Sequence, residues 1–128
     1  MGKGKLIADT IQHSTVGSIS TEYVVEGSAK QWSSNTISSN THTIQDSFNT
    51  SSLTDDGDGR TDIVFTNNMN SNRYAANATC AVNASQLFAH LGSNTLTATN
   101  HFRVNTATSG GTITDYDIMC TSVHGDLA

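Results

Sequence analysis

The chain has 128 residues, of which 13% are charged and 35% are apolar, and its formal net charge is −5. This length suits one domain with a sizeable core. The acidic balance, with no basic run longer than the Lys3/Lys5 pair, excludes nucleic-acid binding by phosphate neutralisation. No apolar run could span a membrane, and no secretory signal follows the first residues, so we expect a soluble protein made in a cytoplasm, without membrane partners.

Serine, threonine and asparagine together are about as frequent as all apolar residues. The apolar residues recur at alternate positions, and a helical period never persists for more than about six residues. Proline is absent, which removes one usual blocker of pairing at exposed sheet edges. The pattern predicts an all-β protein of about eight strands, either a β-sandwich or a partly closed barrel.

Residues 1–21 contain too little apolar surface to fold alone. Their main apolar residues are Leu6, Ile7 and Ile11. We expect this segment to be either disordered or an assembly and docking arm that orders by pairing with a neighbour. Residues 22–128 are predicted to form the β-sandwich domain.

Apolar and polar residues alternate over residues 22–32, which predicts a strand with a bulge or bend at Gly27. Trp32 is the only tryptophan, and we expect it to anchor the core or an interface. The segment 33–40, SSNTISSN, is predicted to be a polar loop because it consists almost entirely of small polar residues.

Residues 44–69 predict a β-hairpin, since two β-favouring runs flank a cluster of aspartate and glycine. Gly57 and Gly59 can adopt the positive φ of a tight turn. On the return strand Ile63 and Phe65 share one face, which predicts that this face is buried.

The remaining strands follow the same period of two. Residues 74–83 predict a central strand, 86–91 a helical turn or a short strand, 96–108 a strand, 109–111 a turn and 112–124 a last strand. Cys80 and Cys120 are expected to be free thiols on inward faces. The predicted core residues are Ile63, Phe65, Tyr74, Cys80, Phe102 and Val104.

The segment 54–62, TDDGDGRTD, is similar to calcium loops in which alternate oxygens wrap a hard cation. Its carboxylate ligands would be Asp56, Asp58 and Asp62. However, Thr54 occupies the first ligand position, where a carboxylate is needed, and the motif occurs once. We therefore favour a plain hairpin turn with a solvated acidic tip over a calcium site.

No catalytic motif is present. The chain contains no G-x-S-x-G elbow, no H-E-x-x-H pair and no phosphate-binding glycine loop. We predict that the protein is not an enzyme and needs no cofactor.

Residues 46–69, DSFNTSSLTDDGDGRTDIVFTNNM, resemble a module found in tail-fibre and appendage proteins of tailed bacteriophages, especially marine ones. The similarity extends upstream to GSAKQW at 27–32 and downstream to Tyr74-Ala-Ala and to FRVNTATSGGTITDYDIMCTSVHGD at 102–126, so that it covers about residues 23–125. The SSNTISSN segment and the Met119-Cys120 pair depart from the module, which leaves receptor specificity unassigned.

The resemblance implies a virion structural protein on the particle surface, built as a jelly-roll-like antiparallel β-sandwich and assembled as a homotrimer. Its implied partners are other virion proteins, of tail or capsid, and a host surface glycan. We expect a tail fibre or appendage for host attachment. A head fibre or capsid decoration protein is the alternative, and a calcium-dependent lectin-like module is a second one.

Overall fold

The computed structural model of the chain describes residues 7–38, 40–81, 87–92 and 97–128. Ten strands and one short helix lie in these ranges. They are β1 (Thr10–His13), β2 (Gly17–Ser20), α1 (Thr21–Gly27), β3 (Gln31–Ser38), β4 (Thr41–Phe48), β5 (Thr50–Asp55), β6 (Arg60–Phe65), β7 (Ala75–Ala81), β8 (Leu87–Leu91), β9 (His101–Thr108) and β10 (Ile118–His124). No helix in the described ranges is long and apolar enough to cross a membrane.

Eight of the strands form two antiparallel four-stranded sheets, which we call sheet 1 and sheet 2. The strand order is β4-β3-β10-β7 in sheet 1 and β5-β6-β9-β8 in sheet 2. Buried side chains from both sheets belong to one apolar cluster, so the two sheets face each other across a shared core. The prediction of an all-β, sandwich-like antiparallel fold is confirmed.

The core draws on the strands that lie in the middle of the sheets. Four of the six predicted core residues are buried, and Tyr74 and Cys80 are partly buried against them. Burial raises the pKa of the Tyr74 hydroxyl to about 12 and also raises the pKa of the Cys80 thiol. The cluster also contains residues that the sequence did not single out: Met69, Tyr116, Met119 and Val123.

The hairpin predicted within residues 44–69 is present as β5 and β6, paired antiparallel. Gly57 has φ +100° and Gly59 has φ +62°, so both adopt the conformation for which glycine is suited. Asp55 Oδ1 accepts a hydrogen bond from the Gly57 amide at 2.8 Å, which is how aspartate stabilises a turn. Residues 44–48 belong instead to β4 in the other sheet.

The Gly59 backbone is packed directly against β9 and the segment that follows it. A Cβ atom on this residue would lie 2.6 Å from the Thr106 carbonyl oxygen and 2.7 Å from the Thr114 amide nitrogen. The Gly59 carbonyl accepts a bond from the Thr106 amide, and the Gly59 amide donates to Asp115 Oδ1 at 2.7 Å. The turn is therefore fixed to its neighbours by contacts that only glycine permits.

The prediction of a polar loop at 33–40 is wrong. Residues 31–38 form β3, which lies between β4 and β10. Its inward side chains, Gln31, Ser33 and Asn35, are polar and buried. Gln31 Nε2 donates to Thr121 Oγ1 at 3.0 Å, and the Ser33 and Thr121 hydroxyls are 2.7 Å apart. These hydrogen bonds offset the cost of burying polar groups, so the strand needs no apolar alternation.

The strand predicted over residues 22–32 is also wrong. Residues 21–27 form helix α1, and the strand begins only at Gln31. Ser20 caps the helix, since its hydroxyl accepts a bond from the Glu22 amide. Gly27, predicted as a bulge, is the last residue of the helix, and the Lys30 ammonium donates to the carbonyl of Val25 in the last turn.

Three smaller predictions also differ from the structure. The strand at 75–81 lies at an edge of sheet 1 instead of its centre, with residues 82–83 of the prediction outside the described ranges. The last strand begins at Ile118, after an irregular segment. Cys120 faces outward and is exposed, because its neighbour Met119 occupies the inward position.

In the predicted arm, β1 and β2 pair as a short hairpin, and the Thr21 amide donates to the Asp9 carbonyl. Ile7 and Ile11 are exposed, and Leu6 lies outside the described residues. The arm's role and its boundary at residue 21 stay predictions.

Gly59→Ala should lower the free energy of unfolding by about 3 kcal/mol or more, because its Cβ would overlap backbone atoms that cannot move away. Gly57→Ala is the matched control, since no atom lies within 4 Å of its Cβ position. The control should cost only about 1–2 kcal/mol for the positive φ. Urea unfolding followed by circular dichroism measures both, and equal losses would contradict the packing explanation.

Candidate functional site

The acidic tip of the β5–β6 hairpin is paired with an arginine from the neighbouring strand. Arg103 lies directly opposite Asp62 in the β6–β9 register. Its Nε and Nη2 atoms donate to the two carboxylate oxygens of Asp62 at 2.6 and 2.9 Å. Its Nη1 atom also forms an ion pair with Asp56. The hydrogen bonds to Asp62 are the main reason that the pKa of Arg103 is raised.

The position of Arg103 determines whether the predicted calcium ligands could bind the ion. Asp56 and Asp62 are brought together, but the Arg103 guanidinium already lies between them as their cation. Asp58 is exposed at the tip. Within the described ranges, no group of three His, Cys, Asp or Glu side chains is placed to hold a metal ion. Calcium would have to displace a bidentate arginine, so these residues do not fit a calcium site.

The same register gives sheet 2 a polar outer surface, which we call the polar face. Since Ile63, Phe102 and Val104 point inward, their neighbours along β6 and β9 point outward. Cross-strand pairs bring Asp62 to Arg103, Arg60 to Asn105, and His90 to Asn105. The polar face consists of Arg60, Asp62, His90, His101, Arg103 and Asn105.

The middle of the polar face carries an amide and an imidazole group. Asn105 Nδ2 lies 3.4 Å from His90 Nε2, and His90 is exposed. Beside them on β8, the Phe88 ring is 56% exposed. Amide, imidazole and guanidinium groups next to an exposed ring are the groups that bind sugar hydroxyls and stack on sugar rings. These groups have the chemistry that a polar, uncharged ligand requires.

A buried histidine side chain, whose structural role the sequence does not predict, joins the two sheets. His42, on β4, has its Nδ1 atom 3.2 Å from Thr61 Oγ1 and its Nε2 atom 3.7 Å from Asp55 Oδ1. Its ring meets Tyr116 edge-on at 6.1 Å. The Thr61 hydroxyl is buried, so no substrate could reach it, and the cluster is a structural link between sheets. His42 is flanked by threonines in a polar stretch, so the sequence does not predict its burial.

Comparison of the chain with protein-family models, with curated proteins and with solved structures gives no match. The likeness to phage appendage modules therefore depends on the residues quoted above.

Arg103→Ala should lower the free energy of unfolding by about 1–3 kcal/mol, because Asp56 and Asp62 would face each other without a cation. Arg103→Lys should recover only part of this loss, since lysine cannot form the two parallel hydrogen bonds. The exposed Arg73 supplies the control, and Arg73→Ala should change stability by less than about 0.5 kcal/mol. Chemical unfolding of the four proteins tests this, and an Arg103→Ala protein as stable as wild type would contradict it.

Millimolar calcium and a chelator should both leave the melting temperature of the wild-type protein unchanged. Arg103→Ala should make the melting temperature rise with calcium, because the freed carboxylates then face a site that only water fills. Scanning calorimetry at fixed ionic strength measures this, with magnesium as the control ion. Calcium stabilisation of the wild type would show that Arg103 does not exclude the ion.

Proposed function

We propose that the protein is a structural protein of a tailed-bacteriophage virion, exposed on the particle surface, where it acts as a tail fibre or appendage for host attachment. The observation that carries this proposal is the block at residues 46–69, which resembles the appendage module and forms the hairpin β5–β6 with its Asp/Gly turn. The sandwich-like fold is the architecture that the resemblance implies.

The polar face supports attachment rather than catalysis. Its functional groups lie on a sheet surface, where they can contact a ligand that is itself extended, such as a surface glycan. Most of their hydrogen bonds are to one another, which holds the side chains in place before binding. The ligand class we propose is a neutral host glycan, recognised by Asn105, His90 and Phe88.

A head fibre or capsid decoration protein is the second candidate. The feature that favours it is the exposed apolar surface of residues 7–25, which includes Ile7, Val16 and Tyr23. Apolar surface of this kind suits permanent docking onto another virion protein better than reversible contact with a host. In both candidates we propose that the chain is a homotrimer, that residues 1–21 are the docking arm and that the virion is its location.

Binding of purified protein to host cells tests the attachment role. We expect His90→Ala and Asn105→Ala each to weaken binding about tenfold or more, a loss of about 1.4 kcal/mol. Arg73→Ala, which changes an exposed residue that lies outside both sheets, should bind like the wild type.

The position of the chain in purified virions separates the two candidates. Gold-labelled antibodies should mark the tail if the protein is an appendage. Label spread over the capsid, with a copy number that matches capsomer symmetry and no cell binding, would support decoration instead. Absence of the chain from virions would reject both.

A further inference from the structure

The outer surface of sheet 1 differs from the polar face in having apolar side chains and almost no charge. Trp32 on β3 lies opposite Phe48 on β4, and both rings point outward, with exposures of 40% and 51%. Ile118 on β10 is also exposed, at 49%, and Cys120 lies between it and the Trp32 end. We call this surface the apolar face; its outward apolar side chains include Trp32, Phe48 and Ile118, which lie among Cys120 and polar side chains of all four strands.

Charge limits what can cover this face. Asp46 is the one carboxylate among the outward side chains of the described strands of sheet 1, and His124 is the one imidazole. The whole chain carries a net charge of −5, so two copies repel each other wherever acidic surfaces meet. The acidic hairpin tip, residues 55–58, belongs to sheet 2. The apolar face is therefore a surface on which two copies can meet with little charge repulsion.

The same composition argues against other occupants. An anionic membrane or nucleic acid needs lysine or arginine at the contact, and none points outward from the described strands of sheet 1.

Helix α1 adds apolar surface at the Trp32 end of the face. His124 Nδ1 lies 3.1 Å from the Gly27 carbonyl oxygen, and Lys30 holds the helix end, so α1 adjoins β10 and β3 there. None of its residues is buried, and Tyr23 is 70% exposed. Four strands about 4.8 Å apart and about six residues long cover roughly 400 Å². This is about half of what each partner buries in a stable interface, and the helix extends the area.

We propose that copies of this chain associate through the apolar face, with Trp32 and Phe48 at the contact. This inference deepens the proposed function, because it names the surface through which the copies of the virion protein meet. In the homotrimer proposed above, the apolar faces of the three copies would meet around the threefold axis, which brings both rings into contact with neighbouring copies.

Sedimentation velocity of the full chain, combined with tryptophan fluorescence, tests the proposal. Trp32 is the only tryptophan, so its emission reports directly on this face. We expect the wild type to form a defined oligomer and its emission to shift to shorter wavelength as dilute protein associates. Phe48→Glu keeps Trp32 as the probe and places a charge opposite it, and we expect it to weaken association at least a hundredfold and to abolish the shift. Phe88→Glu, the same change at an exposed ring on sheet 2, should associate as strongly as the wild type and show the same emission shift.

Circular dichroism establishes that each variant is folded. If Phe48→Glu does not fold, Thr79→Glu takes its place, because Thr79 is exposed and lies opposite Cys120 on the same face. The proposal would be overturned if the wild type sedimented as a monomer at a concentration 100-fold higher than that used in the fluorescence assay. An oligomer whose tryptophan emission does not change on dilution would place the contact elsewhere. An oligomer that Phe88→Glu dissociates as much as Phe48→Glu does would also place it elsewhere. Neither result would bear on the virion function, which labelling of particles tests separately.

Discussion

The close packing of the Gly59 backbone against Thr106 and Thr114 is the constraint on which the rest of the sandwich depends. Because this contact joins the β5–β6 turn to the end of β9, it fixes β6 and β9 in a single register. That register places Ile63 beside Phe102 in the core. A shift by one residue would turn both side chains out of the core.

The same register produces the candidate binding surface. Asp62 and Arg103 are paired because they are one residue away from the buried pair, on the opposite side of both strands. The acidic turn resembles a cation site in sequence, but its carboxylates Asp56 and Asp62 pair with the guanidinium of Arg103 from the same chain. Core packing and surface chemistry are thus two consequences of one strand pairing, and neither could change without the other.

The sequence predicts β6 and β9 well because each alternates large apolar with polar residues, which is the pattern of a half-buried strand. It predicts β5 from the Asp/Gly turn that joins this strand to β6. It fails at β3, where the inward residues Gln31, Ser33 and Asn35 are polar and their burial depends on partners distant in sequence. It fails at α1, where a serine cap decides a helix of only seven residues. Arg103 was not predicted as the partner of Asp56 because strand pairing, which the sequence alone does not supply, brings them together.

The two outer faces of the sandwich carry opposite chemistry, and this asymmetry connects assembly to binding. Water can solvate the guanidinium, imidazole and amide groups of the polar face, whereas it gains little from contact with the rings of Trp32 and Phe48. Copies that meet through sheet 1 would bury those rings and turn sheet 2 outward. The acidic tips, which belong to sheet 2, would then lie far from the contact, where their repulsion is screened by salt. An assembly built in this way presents several polar faces at once, and weak contacts to a repeated surface glycan would then add by multivalency.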